Sequence, residues 1–439
     1  MQKHVEDKKK KSLKISVIEG AFASAMTGFT QDYFVPFLLL LGAPAQYVGI
    51  LNAAPNLAGA LVQLNSTPLV QRFNSRKKMI NILVLLQAVM LIPMGVMAIL
   101  HLKQPIVFIG LVVLFTCFGA LANPAWGSLM SDLVDQQNRG HFFGWRQRIL
   151  GFITVGAAFT AGLLLFFMKT LDIYAGFALL FSAAFIWRFI SWVYLRKMYE
   201  PPLSHAKEHQ FTLLQFLSRF RESNFAKFVF FVALMNFSVN LAAPFFAVMM
   251  LKELQFNYFL YTIITLSATL TIYLVIARWG RHADKVGNLK VIKVTAPFIG
   301  IIPLLWIINR SPFFLIGAQV FSGFLWAGLN LCTANFIYDA VTPEKRTRCI
   351  AYFNLFNGLA LCLGSLIGGF SLSVLPPLYG SKILTLFMIS AVLRLAVGIF
   401  LPGRLKEVRP VEKVKSDELF FSMIGIRPML GIERKTIRF

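Results

Sequence analysis

Asp32 and Glu19 are acidic residues inside the first long apolar stretch of a 439-residue chain. A carboxylate within a hydrocarbon layer persists only with a proton, a counter-charge or a water-filled cavity, so both are candidates for binding a proton or a cation. Asp32 stands about 25 Å along a helix of roughly 40 Å, past its middle. The alternatives are that Asp32 is hydrated near the helix mouth and that Glu19, closer to the helix start, merely snorkels. A second kind of chemistry belongs to Asp132 with Arg139 and to Asp339 with Arg346: each pair is seven residues apart, and the two pairs are separated by 207 residues. Paired charges at helix ends suit an electrostatic gate. Ordinary capping is the competing reading, because the negative end of a helix disfavours a carboxylate and a nearby arginine offsets that.

The elements that must carry these residues are membrane helices. The chain is 57% hydrophobic and 14% charged, against roughly 25% charged for soluble domains. Twelve apolar segments stand out, at 15–41, 47–69, 79–100, 106–131, 142–168, 173–195, 226–251, 257–279, 291–308, 312–337, 348–374 and 379–402. Each is near the length of about 20 residues that a helix needs to cross a bilayer. Strand-type alternation is missing, which argues against a β-barrel. The first segment is too long for a secretory signal and lacks a small-residue cleavage pattern, so it reads as a retained helix.

A net charge of +24 invites a nucleic-acid reading. Its distribution argues otherwise: with the N-terminus inside, all but seven of the 43 Lys and Arg residues fall on the cytoplasmic side. The exceptions are Lys103, Lys169, Lys252, Arg310 and Lys382 in outside loops, and Arg188 and Arg394 within helices. That is the positive-inside bias, which predicts cytoplasmic termini and contact with anionic lipid. Arg188 and Arg394 lie two turns from the cytoplasmic helix ends, where long stems are expected to snorkel. The four cysteines have no metal-ligand spacing and read as free thiols. No metal site, no cofactor and no catalytic constellation is visible, so the expectation is not an enzyme.

At an offset of 207 residues, Asn123 falls on Asn330, Asp132 on Asp339, Arg139 on Arg346, Gly151 on Gly358 and Gly162 on Gly369. At 208, Asp32 falls on Asn240 and Pro36 on Pro244; at 206, Arg188 falls on Arg394. The chain therefore reads as an N-terminal half (1–195), a cytoplasmic linker (196–225), a C-terminal half (226–402) and a basic tail (403–439). Each half has six helices, an even number, so both share one orientation, as in transporters built from parallel repeats. The linker's "TLLQFLSRFR" predicts a short interfacial helix. The tail's "LFFSMIGIRPMLGI" would lie on the membrane or be disordered.

These halves, with the loop "GRHADKVGNLK", resemble the major facilitator superfamily over nearly the whole chain. Gly280, Asp284, Lys285, Gly287 and Lys290 match that family's loop signature. The corresponding first-half loop departs from it, with Thr67, Gln71 and Asn74 in place of the first glycine, the aspartate and the second glycine, while Arg72 stays basic. The resemblance implies an all-α membrane fold of twelve helices. It also implies a cytoplasmic gate in which Asp284 meets the start of the fifth helix near Arg146.

Further polar residues recur on helical faces: Asn52 and Asn56 in the second segment, Asn123 and Trp126 in the fourth, Asn236 and Asn240 in the seventh, Trp326 and Asn330 in the tenth. Cavity lining and helix-to-helix hydrogen bonding are equally open for the asparagines. The expected function is a secondary active transporter, monomeric and in contact with lipid, that moves a small organic solute by alternating access. Coupling would be to a proton or cation, with Asp32 as its site, in a bacterial inner membrane. The alternative is a receptor or scaffold that has lost transport.

Overall fold

The computed structural model describes residues 2–134, 139–202, 223–341 and 343–408, without the side chains of 2–5, 67, 139–141, 343–348 and 351. The linker helix expected at 212–221 and most of the tail lie outside those residues. Apart from one β-bridge, Leu378 to Ser381, regular structure among the described residues is helical.

Ten helices among the described residues are long and apolar enough to cross a membrane. They are the third to twelfth spans: Arg76–Ile99, Pro105–Leu133, Arg139–Met168, Ile173–Leu195, Asn224–Glu253, Tyr258–Val286, Asn288–Ile308, Pro312–Ala340, Pro343–Val374 and Lys382–Phe400. The first two apolar segments are helical as well. Span one is Gln2–Thr30, a 3-10 turn at Gln31–Tyr33, then Phe34–Leu40, and the turn divides its apolar run. Span two, Ala45–Gln63, falls short in hydropathy because Gln46, Asn52, Asn56 and Gln63 interrupt it. The end of the bundle where Lys and Arg gather is called the basic face below.

Local chemistry explains the breaks. Pro36 has no N–H to donate to the carbonyl of Asp32, four residues earlier. The hydroxyl of Tyr261 donates to that carbonyl instead, at 2.7 Å. Pro244, the repeat mate of Pro36, follows the corresponding interruption in span seven, where Asn224–Asn240 stops and Phe245–Val248 resumes. Pro105 and Pro312 open spans four and ten in the first helical turn, where the missing N–H costs nothing. Gly287, between spans eight and nine, has φ 86, a conformation side chains rarely tolerate. Asn74 adopts φ 49 in the corresponding first-half loop, and asparagine is the residue that best substitutes there.

A clasp closes each repeat at the basic face. Arg76, the first residue of span three, donates from Nη1 to Asp132 Oδ2 at 2.6 Å. Glu200, just past span six, accepts from Ser75 Oγ and from the backbone N–H groups of Arg76 and Lys77. In the second repeat Asn288, the first residue of span nine, donates to Asp339 at 2.8 Å, and Glu407 accepts from the N–H of Leu289 at 2.7 Å. Glu200 and Glu407 are themselves 207 residues apart. Glu200→Ala leaves Ser75 as the N-cap of span three but removes the acceptor for the N–H groups of Arg76 and Lys77, and it is expected to lower stability by about 1–2 kcal/mol. Thermal unfolding in detergent reads this directly; an unchanged midpoint would mean that the clasp is ornamental.

The chain divides into two compact units. One comprises the described parts of 1–207 with 240–266 and 357–386; the other comprises those of 208–239, 267–356 and 387–439. In the first, Met79, Ile80, Leu129, Met130 and Leu195 are among the residues of a packed core at the basic face. In the second, Phe228, Trp279, Ile292, Cys332 and Phe336 belong to the corresponding core. Lipid is as apolar as these side chains, so close packing and interhelical hydrogen bonds hold the helices together.

Candidate functional site

The first unit contains a buried charge cluster that joins spans one, three, five and six. Glu19, 5% exposed, lies between the guanidinium groups of Arg146 at 3.6 Å and Arg188 at 3.9 Å. Neither separation is a hydrogen bond. Glu19 Oε1 accepts from Ser191 Oγ at 3.1 Å, while Oε2 is buried with no hydrogen-bond partner. Arg188 Nε donates to Gln87 Oε1 at 2.9 Å and its Nη1 to Ser191 Oγ at 3.2 Å. Arg146 donates from Nε and Nη2 to the carbonyl of Ser16 and stacks over the ring of Trp126, 4.6 Å from its centre. Gly20 makes that approach possible, since a Cβ there would collide with the Arg146 guanidinium.

Around the cluster lies a cavity of about 290 Å³, lined also by Asn123, Gln87 and Thr27. Its formal charge is one carboxylate against two guanidiniums. A dry interior punishes such an imbalance unless something completes it. The expectation that Arg188 snorkels is not met: it is 9% exposed and engaged inward. Arg394, its repeat mate, does not snorkel either. It is 2% exposed and donates to Ser390 Oγ and the carbonyl of Val239, with no carboxylate within 4 Å among the described residues.

A second set of predicted residues meets at the other end of the first unit. Asn52 Nδ2 donates to Asn240 Oδ1 at 3.1 Å and to Ser365 Oγ at 2.6 Å, and Asn56 donates to the Asn52 carbonyl. Tyr33, fully buried, is hydrogen-bonded to the carbonyl of Ala158 at 2.5 Å and to the Thr262 hydroxyl at 2.9 Å. Here span two, span seven and span eleven touch almost backbone to backbone. A Cβ on Gly49 would stand 2.5 Å from the carbonyl oxygen of Ser365 and 3.1 Å from the Cα of Gly369. Asp32 is half-buried beside this seal, with no cation within 4 Å among the described residues.

The remaining predicted residues are distributed as follows. Asn236 and Trp326 are half-buried in the second unit, and Asn330 is exposed there, as its mate Asn123 is in the first. Asp284 is exposed, while Lys285 and Lys290 are half-buried beside Gly287. Asp132 pairs with Arg76 and Asp339 with Asn288; the side chains of Arg139 and Arg346 lie outside the described residues. Arg72 is exposed on the short helix Ser66–Phe73. Arg146, expected near the gate, takes part in the charge cluster. Gln87, Ser191, Glu200 and Glu407 were not anticipated, although the 207-residue spacing of the two glutamates was there to be found.

Comparison with known proteins decides the family. The model described as Major Facilitator Superfamily matches residues 20–308 and again 228–431. The chain belongs to the major facilitator superfamily. The superfamily is one of secondary transporters rather than enzymes, and its members bind small-molecule substrates. No curated protein matches the sequence. Among solved structures, the nucleoside transporter NupG has a TM-score of 0.69 at 13% identity, covering 90% of this chain and 99% of its own. The POT family transporter PepTSo gives 0.67 at 13%, covering 90% and 98%. A bacterial homologue of the human lysosomal transporter Spinster gives 0.58 at 14%, covering 90% and 95%. At those identities the likeness is one of fold alone; the family match is what makes this chain a multi-pass superfamily transporter.

Proposed function

We propose that this superfamily transporter carries a small organic anion together with a proton, by alternating access, and that the Glu19 cluster is where the two meet. The carrying observation is the under-satisfied carboxylate held between two guanidiniums at distances too long for direct hydrogen bonds. A proton on Glu19 would free Arg146 and Arg188 to receive a carboxylate or similar group; loss of the proton would return them to Glu19 and expel the anion. The cavity of about 290 Å³ suits a solute at the small end of the usual range, and Trp126 offers it an apolar face. Basic residues concentrated at one end of the bundle support cytoplasmic termini.

Proteoliposome uptake of a panel of small carboxylates, amines and neutral solutes, with and without an inward proton gradient, tests this reading. At least one carboxylate should accumulate only with the gradient. Arg188→Gln should weaken its binding roughly thirtyfold or more, as expected for truncating one partner of a buried charge pair. Accumulation of an amine that is indifferent to Arg188→Gln would overturn the anion assignment. Binding without flux would favour the receptor alternative.

A further inference from the structure

On the outside of the first unit, at its basic end, spans three and six enclose a groove of about 510 Å³. Its rim carries Lys77, Lys78 and Arg196, and none of their side-chain cations forms an ion pair within 4 Å among the described residues, although the backbone N–H of Lys77 is held by Glu200. Its floor is apolar, made by Ile82, Leu85 and the ring of Trp192, on which the Arg196 guanidinium rests at 4.8 Å. Asn81 lies among them. Its Nδ2 donates to the Lys77 carbonyl at 2.8 Å, whereas its Oδ1 is buried without a hydrogen-bond partner. Two further facts bear on the occupant. Lys77 and Lys78 are in the first turn of span three, where Glu200 occupies the N–H groups of Arg76 and Lys77, so the charge offered to the groove is that of the two lysine side chains and Arg196. Below the groove the same helix presents exposed Ile82, Leu86 and Val89 at i, i+4 and i+7, a continuous apolar track.

We infer that this groove is a binding site for one anionic phospholipid with a hydroxylated headgroup. The phosphate sits among Lys77, Lys78 and Arg196, a headgroup hydroxyl donates to Asn81 Oδ1, and an acyl chain follows the Ile82–Leu86–Val89 track. A free phosphate would satisfy the cations but leave both the track and the amide unused. General attraction of a basic protein to an anionic leaflet would not single out this groove from the Lys9–Lys11 cluster.

The test counts bound lipid by native mass spectrometry on the full-length protein in detergent, with phosphatidylglycerol, phosphatidic acid, phosphatidylcholine and inorganic phosphate as probes. The parent should retain one phosphatidylglycerol in preference to phosphatidylcholine. The triple variant Lys77→Gln, Lys78→Gln, Arg196→Gln should lose roughly tenfold or more in affinity, while Lys9→Gln, Lys10→Gln, Lys11→Gln should bind as the parent does. Asn81→Leu should erase the preference for phosphatidylglycerol over phosphatidic acid. Equal losses in the two triple variants, or inorganic phosphate displacing the lipid, would overturn the site. If the groove triple does not purify as a monodisperse protein, Arg196→Gln alone, at an exposed position, decides between the same outcomes.

Discussion

Glu19→Gln is expected to bind its anionic substrate more tightly than the parent and yet fail to accumulate it. The amide keeps the shape of the side chain and its contact with Ser191, but it can neither take up nor release the transported proton. It also stops competing with the substrate for Arg146 and Arg188. Affinity should therefore rise by roughly tenfold or more, about 1.4 kcal/mol, and lose its dependence on pH. Without ligand the same variant leaves two buried guanidiniums uncompensated, a loss of about 3–5 kcal/mol when one partner of a buried pair is removed. It should thus unfold at a lower temperature than the parent and be rescued by substrate more strongly. Exchange across the membrane should persist while gradient-driven uptake disappears. Undiminished uphill transport by Glu19→Gln would remove it from the coupling role. Asp32→Asn, run beside it, then tests the other carboxylate of span one, and loss of coupling in that variant alone would restore the reading of Asp32 as the proton site.

Gly49→Leu is the second large effect, and it acts on the seal at the end opposite the basic face. Gly49 touches the Ser365 carbonyl and Gly369 with no room for a side chain. The neighbouring bonds from Asn52 to Asn240 and Ser365 depend on that closeness. Inserting a bulky side chain into such a contact costs about 1–3 kcal/mol. A penalty confined to the sealed arrangement lowers its population by roughly 5- to 150-fold. Flux should fall accordingly, because a carrier that cannot close this end cannot complete its cycle. Each helix remains intact, so the protein should still insert and fold. Labelling of Asn52→Cys by an impermeant maleimide should be slow in the Gly49 parent and fast in Gly49→Leu, with Gly49→Ala between. Identical labelling and flux in the three proteins would show that the contact is not a gate.

Much of this was legible before any coordinates. Twelve apolar segments, the 207-residue spacing and the loop around Asp284 and Gly287 led to the fold, because helix length and repeat symmetry are written locally. The pairing of Glu19 with Arg188 was not, since it joins residues far apart in the chain. One acidic and one basic residue, each stranded inside an apolar span, was the signal available, and their need for partners in a bilayer outweighs snorkelling. Direction explains why. Side chains on a helix lean towards its N-terminus, and spans six and twelve both run towards the basic face. Arg188 and Arg394 therefore lean away from the nearby interface and into the bundle. The clasp glutamates were missed for a different reason: they lie just beyond the apolar segments, where loop residues carry no periodic pattern to mark them.

The clasp at Glu200 has a consequence for the order in which the protein is made. Its partners, Ser75, Arg76 and Lys77, precede it in the chain, and so does Asp132, the other residue that holds Arg76. The first repeat is complete when residue 200 leaves the ribosome, with 239 of 439 residues still to come. At about 5–20 residues per second, that interval lasts roughly 10–50 s. Throughout it the first six spans can hold their basic ends together and keep Glu19 matched to Arg146 and Arg188. The bonds at the opposite end must wait, because Asn52 and Tyr33 bind partners in spans seven, eight and eleven. Within the first unit, then, the charge cluster is assembled early and the seal late; the clasp of the second repeat, which needs Glu407, follows after both.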